Sequence, residues 1–160
     1  MRKVWNQPAW PVWTVSTVDT AGVGNCNIAT YLTPVSLQPK LITVAVYHDT
    51  KTLDNLSQSN QFLVQLLTEP LAPAVRICGR QSGHTVNKCA RLQKRFALEQ
   101  TKEGLWYFLR GGGYMVLRVM DWHDVGGDHT LITGSVVRTS QPSAEPILTT
   151  TYLRQQHFIR

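Results

Sequence analysis

Side chains that donate and accept hydrogen bonds are concentrated in two neighbouring stretches of the sequence. They are Asn25, Asn27, Thr30, Thr33 and Ser36, followed one predicted strand later by Thr50, Lys51 and Thr52. Because Asp49-Thr50 has the residue types of a helix N-cap, Lys51 and Thr52 stand at a helix start, where free backbone N–H groups attract anions. This chemistry suits a phosphate or the edge of a heteroaromatic ring. The simpler alternative is that the hydroxyls belong to β-forming residues that face water.

A second cluster, Gly126-Gly127-Asp128-His129, precedes a long predicted strand. The glycines permit a tight turn, and the histidine can titrate near neutral pH or hydrogen-bond a ligand. The alternative is an exposed turn histidine with no chemical role. Taken alone, neither cluster identifies a function.

The signatures of several common enzyme and metal sites are missing from the sequence. It has no G-x-S-x-G, no P-loop and no G-x-G-x-x-G after a strand, and its acidic residues are too scattered to indicate a catalytic pair. Cys26, Cys78 and Cys89 do not have the spacing of metal ligands, so no metal site is expected. We expect these thiols to be reduced and mostly buried.

The chain is basic, with 16 Lys and Arg against 10 Asp and Glu and a formal net charge of +6. A segment between Pro70 and Leu98 carries no acidic residue and six basic ones: Arg76, Arg80, Lys88, Arg91, Lys94 and Arg95. Such a segment attracts anions, namely nucleic acid, a membrane surface or a phosphorylated small molecule. No helix-turn-helix, zinc-finger or RNA-recognition signature supports the first of these.

The length of 160 residues predicts a single domain spanning 1–160, and the 42% of hydrophobic residues is enough for a core without metal or disulfide. The longest apolar stretches, such as 41–47, have the length of a strand and fall far below the ~20 residues of a membrane helix. The first eight residues lack the apolar segment of a signal peptide. We therefore expect a soluble, cytoplasmic protein without membrane contact.

Residue periodicity predicts a mainly β fold. The predicted strands cover 12–18, 27–32, 41–47, 62–67, 105–110, 114–122 and 129–138, with a last extended segment at 147–152. Turns are predicted at 19–22 and 111–113, the latter joining two strands. Because most strands follow one another through short turns and Gly134 interrupts the longest strand, a closed antiparallel barrel is favoured over an open sheet.

The remaining segments are predicted to be short peripheral helices and loops. One helix is expected from Thr50 to about Asn60, and a second from Pro70 to Cys78. We expect a loop at 33–40, a loop with one helical turn at 79–95, and loosely ordered ends at 1–7 and 153–160.

In order along the chain, these motifs resemble the flavin reductase-like, FMN-binding split-barrel family. The segment Asn25–Pro39 is similar to the family's N-x-x-T-x-S-W-x-x-x-V-S-x-x-P-P stretch, and Thr50–Leu56 to its next helix start. The segment Gly79–Lys88 resembles G-x-x-S-G-x-x-x-x-K, and Gly127–Val136 matches the G-D-H signature, the most specific piece. The resemblance covers about residues 10 to 152. The chain departs from it at Ile28, Tyr31 and Lys40, where the family commonly has Thr, Trp and Pro.

The resemblance implies a closed split β-barrel and a homodimer, with FMN near the subunit interface. It assigns the cofactor contacts to Asn27, Thr30, Tyr31, Thr33, Ser36, Ala45, Thr50, Lys51, Thr52, Ser82 and Lys88. It places His129 close to the flavin and the incoming nicotinamide, as the catalytic residue. The basic segment is then expected to attract the phosphates of FMN and of a nicotinamide dinucleotide rather than nucleic acid.

The function implied is transfer of a hydride from NADH or NADPH to flavin, with an oxygenase as a possible partner for the reduced product. The alternative is an FMN-binding redox carrier without catalytic activity. A third reading, a barrel of the same architecture that handles nucleic acid or heme, has less support. In the first two cases the cofactor carries the chemistry, and the protein contributes binding, orientation and electrostatics.

Overall fold

Nine strands and four short α-helices form the part of the chain that the computed structural model describes, residues 4–159. The strands are β1 (Trp13–Val18), β2 (Gly24–Ala29), β3 (Leu32–Leu37), β4 (Lys40–Tyr47), β5 (Gln61–Leu66), β6 (Leu98–Gln100), β7 (Trp106–Phe108), β8 (Tyr114–Asp124) and β9 (His129–Thr139). The helices are α1 (Lys51–Gln58), α2 (Val75–Cys78), α3 (Lys88–Gln93) and α4 (Thr150–Gln155). Two 3₁₀ segments lie at Val4–Asn6 and Glu69–Ala74.

Seven of the strands form one antiparallel sheet in the order β2-β1-β5-β8-β9-β4-β3, and β6 pairs with β7 in a second, small sheet. The mainly β class with few short helices is therefore confirmed. The predicted turn at 19–22 is confirmed as the connection of β1 and β2. There the Asp19 carboxylate accepts hydrogen bonds from the backbone N–H groups of Ala21 and Val23, and Gly22 has a positive φ of 78°.

The predicted loop at 33–40 is wrong, because these residues form most of β3, a turn and the start of β4. The two strands pair antiparallel, with an irregularity between Pro34 and Ser36. β3 is the last strand of the sheet order. An edge strand tolerates proline, since one side of its backbone needs no ladder partner. The prolines that indicated a loop are thus compatible with an edge strand.

The turn at 111–113 does not join two paired strands, because β7 pairs with β6, a strand that the sequence pattern did not predict. The side chain of Gln65 connects β7 to the main sheet. It donates from Nε2 to the Phe108 carbonyl at 2.9 Å and accepts from the Phe108 N–H at 2.8 Å. β7 is therefore attached to β5 through one buried amide rather than through a backbone ladder.

The helix predictions are partly confirmed. α1 begins after Thr50, whose hydroxyl accepts a hydrogen bond from the Leu53 N–H, as an N-cap does. The basic segment contains a complete helix, α3, capped by Asn87. The extended piece predicted at 147–152 is confirmed only in its first half, since Ile147 and Thr149 form isolated antiparallel bridges but α4 begins at Thr150. Residue Leu153 of α4 is buried, so loose order from 153 onward is also wrong there. Residues 1–3 and 160 lie outside the described range.

Two large apolar clusters hold the elements together. One is formed mainly by side chains of the main sheet and includes Val15, Val44, Phe62, Leu117 and Ile132. The other packs α2, α3 and the C-terminal segment with α4 against β2, and it contains all three cysteines, which are free and buried as predicted. Between residues 4 and 159, no helix has the length and apolar character needed to cross a membrane.

Candidate functional site

A cavity of about 180 Å³, here called the His129 cavity, lies between β2 and β4. Strand register brings its aromatic residues together, since Tyr47 of β4 pairs with His129 of β9. Tyr31 stands just before β3, and its carbonyl accepts a hydrogen bond from the Ala45 N–H. The lining residues are Val15, Asn27, Ile28, Ala29, Thr30, Tyr31, Ala45, Val46, Tyr47, Thr52 and His129.

His129 is held from three sides. Its Nδ1 lies 2.6 Å from Oδ1 of Asp128, and its ring centroid lies 5.7 Å from that of Tyr31 and 5.3 Å from that of Tyr47. The hydrogen bond from His129 lowers the pKa of the Asp128 carboxyl, so this group accepts as a carboxylate at neutral pH. With Nδ1 engaged in this way, Nε2 is the ring nitrogen available to a ligand.

A second cavity of about 240 Å³, here called the Lys88 cavity, adjoins the first. The two share Asn27, Tyr47 and Thr52 in their walls. The Lys88 cavity is lined by Asn25, Asn27, Tyr47, Asp49, Thr50, Lys51, Thr52, Gly79, Arg80, Gln81, Ser82, Gly83 and Lys88. The pair therefore runs from an aromatic end to a basic and hydroxyl-rich end, which fits a ligand with a flat ring and a phosphate.

Lys88 is the most unusual group in this wall, because it is only 4% exposed. Its ammonium donates to the Cys78 carbonyl at 2.7 Å, and within residues 4–159 no carboxylate lies within 4.0 Å of it. Burial lowers the pKa of the ammonium. Since a buried charge without an opposite charge is costly, this arrangement favours a bound anion in the cavity.

Lys51, the lysine at the start of α1, has a different environment. Its Nζ lies 3.2 Å from Oδ2 of Asp19, so its charge is already paired. The hydrogen bonds to backbone N–H groups in the β1–β2 turn, that of Val23 above all, lower the pKa of Asp19 further than burial raises it. Lys51 therefore contributes to the rim of the cavity as half of an ion pair.

The hydroxyls at the start of α1 are also engaged within the protein. Thr50 donates to the Tyr47 carbonyl at 2.8 Å while it caps the helix. Buried Thr52 accepts from Nδ2 of Asn25 at 3.0 Å, and among residues 4–159 Oδ1 of Asn25 has no hydrogen-bond partner. Gly83 approaches this amide so closely that a Cβ there would lie 2.3 Å from Oδ1. The wall of the cavity is thus tightly packed at Asn25, Lys51 and Gly83.

Ten of the twelve predicted site residues line one or both cavities. Thr33 and Ser36 do not line them, because β3 carries both away from Tyr31 along the edge of the sheet. The hydroxyl of Thr33 donates to the Pro34 carbonyl instead. Cavity residues that the prediction left out include Asn25, Tyr47, Arg80 and Gln81. Asn25 belongs to the polar stretch, and Arg80 and Gln81 belong to the Gly79–Lys88 motif. The sequence therefore contained a signal for these three residues, but none for Tyr47.

Solved structures with this fold include several flavin-related proteins. An NADH:FAD oxidoreductase from Streptomyces globisporus is 20% identical with a TM-score of 0.81, over 92% of this chain and 85% of that one. An FMN-binding protein from Thermus thermophilus is 19% identical with a TM-score of 0.76, over 88% and 75%. A putative oxidoreductase from Sinorhizobium meliloti is 21% identical with a TM-score of 0.79, over 91% of this chain. This chain spans only 48% of the Sinorhizobium chain.

Comparison with family models agrees with the fold. No curated protein sequence matches the chain significantly. The model of the flavin reductase-like domain matches residues 7–158, nearly the whole sequence. The match includes both cavities and the G-D-H motif that carries His129. The chain therefore belongs to the flavin reductase-like domain family.

Proposed function

We propose that this protein binds FMN and transfers a hydride from NADH or NADPH to the flavin. The observation that carries the proposal is the buried ammonium of Lys88 in a cavity that continues into the aromatic His129 cavity. A phosphate next to Lys88 would compensate its charge, and a flavin ring would fill the aromatic end. Membership of the flavin reductase-like family supports the same ligand.

Each end of the site has a separate task. Lys88, the backbone N–H groups at the start of α1 and the loop at Ser82 would hold the phosphate. Tyr31, Tyr47 and His129 would surround the ring, and His129 would orient the nicotinamide through Nε2. Bound FMN supplies the hydride-accepting ring, while the protein sets the distance between the two rings and excludes water. Asp128 holds the imidazole in one orientation through its bond to Nδ1.

The site is open on one side, which favours a homodimer. Tyr31 is 46% exposed and Tyr47 is 52% exposed, although both line the His129 cavity. A second chain that covers this face would complete the flavin site. We also propose that the main sheet closes into a split barrel in this homodimer. An oxygenase that takes up reduced flavin is the proposed downstream partner, and the cytoplasm is the proposed location.

The experiment that tests the function is a turnover assay with purified protein. NADH and NADPH are supplied separately, with FMN, riboflavin or no added flavin, and oxidation of the nicotinamide is followed. The proposal predicts oxidation that depends on both the protein and the flavin. Protein that retains yellow FMN through purification but oxidises neither donor would instead identify a redox carrier. A heme absorption band would contradict both.

A further inference from the structure

Two cysteine thiols lie side by side in the core, outside the cavities. Sγ of Cys26, on β2, is 3.7 Å from Sγ of Cys89, on α3. The two residues are 1% and 3% exposed, and both are free. Cys78 belongs to the same apolar cluster, but within residues 4–159 no hydrogen bond joins its sulfur to that of another cysteine. The cluster thus contains one hydrogen-bonded pair of thiols and one further thiol.

The geometry of the dithiol is close to what a disulfide needs. A disulfide bond is about 2.05 Å long, so the two sulfurs must approach by about 1.7 Å for the bond to form. The hydrogen bond with Cys89 lowers the pKa of the Cys26 thiol, against the opposing effect of burial, and so favours the thiolate. The ammonium of Lys88, the residue before Cys89, acts in the same direction electrostatically.

We propose that Cys26 and Cys89 are a redox-active dithiol that hydrogen peroxide oxidises to an intramolecular disulfide. The Cys26 thiolate attacks one peroxide oxygen and displaces hydroxide, which leaves a sulfenic acid. The Cys89 sulfur then attacks Cys26 and displaces the sulfenic hydroxyl as water. Two thiols lose two electrons and two protons in total, and one peroxide becomes two waters.

The source of the oxidant rests on the proposed function. Free reduced flavin reacts with dioxygen to give flavin and hydrogen peroxide, so a flavin reductase without an acceptor generates peroxide close to itself. Peroxide is about as small as water, and in the sequence Cys26 lies between the cavity residues Asn25 and Asn27 while Cys89 follows Lys88. We therefore expect the dithiol to be oxidised when reduced flavin reacts with dioxygen instead of an acceptor.

Oxidation of the dithiol also affects the phosphate end of the Lys88 cavity, because Cys89 and Lys88 are neighbours on α3. Lys88 is the first residue of this helix and Cys89 the second, so moving Cys89 toward β2 displaces the ammonium. A charge-assisted hydrogen bond depends on distance and direction, so the displacement weakens the hold on a phosphate. We expect FMN to bind the disulfide form at least threefold more weakly than the reduced form, with riboflavin unaffected.

The test begins with fully reduced protein, freed of reductant and treated with hydrogen peroxide under conditions in which it stays folded. Remaining thiols are alkylated, and intact mass and peptide mapping follow. The proposal predicts a loss of about 2 Da, one alkylated thiol at Cys78, and a Cys26–Cys89 cross-linked peptide. Cys78→Ser is the matched control that still forms the disulfide, whereas Cys26→Ser and Cys89→Ser do not.

Three alkylated thiols, sulfinic acid in place of a disulfide, or a cross-link through Cys78 would each overturn the proposal. The wild-type peptide map decides this even where a serine variant fails to fold. Equal FMN affinity of the reduced and disulfide forms would overturn the coupling to the cavity. Failure of the reduced protein to bind FMN would contradict the proposed function instead, because the mass measurement does not involve flavin.

Discussion

At the scale of single residues, the two lysines of the Lys88 cavity differ in what surrounds their charges. The sequence pattern drew attention to Lys51, because it follows a helix N-cap. In the fold, Lys51 is paired with Asp19 at 3.2 Å, whereas Lys88 is buried without a carboxylate. A partly exposed ion pair contributes little to the stability of the fold, whereas burial of an unpaired charge lowers that stability. The electrostatic case for phosphate binding therefore falls mainly on Lys88.

Replacing Lys88 with methionine tests this assignment. The change removes a charge-assisted contact worth roughly 1.5–3 kcal/mol, so FMN affinity should fall at least about tenfold. Affinity for riboflavin, which has no phosphate, should stay within about twofold. Fluorescence titration with both flavins measures the two effects on one preparation.

Lys51→Met is the matched control, and its loss of FMN affinity should be clearly smaller because Asp19 already neutralises part of the charge. Without flavin, Lys88→Met should unfold at the same temperature as the wild type or higher, since it removes a buried charge. Equal loss of FMN and riboflavin affinity in Lys88→Met would show that Lys88 does not contact the phosphate.

His129 should affect the rate of hydride transfer more than the affinity for flavin. His129→Ala removes the imidazole that lines the His129 cavity between Tyr31 and Tyr47. We expect the rate to fall by roughly ten- to a hundredfold, about 1.4–2.7 kcal/mol in the barrier, with FMN binding within about threefold. Anaerobic stopped-flow reduction at saturating NADH and NADPH measures the rate. If His129 only secures the turn through Asp128, the variant will lose thermal stability and keep its rate.

At the scale of elements, the loop at 79–87 forms one wall of the Lys88 cavity through a close contact. A Cβ on Gly83 would lie 2.3 Å from Oδ1 of Asn25 and 2.9 Å from Cβ of Lys51. Gly83→Ala must therefore push the loop away from α1 and β2, at a cost of about 1–3 kcal/mol. We expect a lower unfolding temperature and weaker FMN binding.

Gly127→Ala is the control for Gly83→Ala, because the nearest heavy atom to its added Cβ is 4.0 Å away. This variant should keep both the stability and the FMN affinity of the wild type. Thermal unfolding and flavin titration of the two variants side by side check the expectation. Similar behaviour of the two alanine variants would contradict the close-packed wall.

The elements also show where sequence patterns are informative. Alternating residues at 12–18 and the apolar run at 41–47 predicted β1 and β4, because sheet interiors require such patterns. The edge strand β3 was missed, since an edge position tolerates proline. The pairing of β6 with β7 was missed because distant side chains, those of Gln65 and Ser16, attach β7 to the main sheet. No local pattern contains that information.

The candidate site was more predictable than these connections, because its residues lie in short motifs. Thr50, Lys51 and Thr52 are adjacent in sequence and stay adjacent in the cavity. The pairing of Lys51 with Asp19 and the burial of Lys88 depend on tertiary packing, which one sequence does not reveal. The sequence thus identified most of the residues that line the cavities, but not which of their charges are paired and which are buried.

At the scale of the whole molecule, we expect a homodimer. Exposed apolar side chains include Tyr31, Tyr47, Leu37, Met120 and Trp122, and the first two line the His129 cavity. Burying such residues favours association, and a two-fold interface is the commonest way to do so. Light scattering at micromolar concentration should give twice the monomer mass. A monomer that still binds FMN would contradict a site completed by a second chain.

The most direct test of the central claim is anaerobic reduction of FMN-loaded protein by NADH or NADPH, each compared with its 4-deuterated form. Proximity in the site should convert hydride transfer into a fast unimolecular step, which is followed by the loss of flavin absorbance. We expect rapid bleaching with at least one donor and a slower rate when the transferred hydrogen is deuterium. Bound FMN that stays oxidised in the presence of excess NADH and NADPH would contradict it.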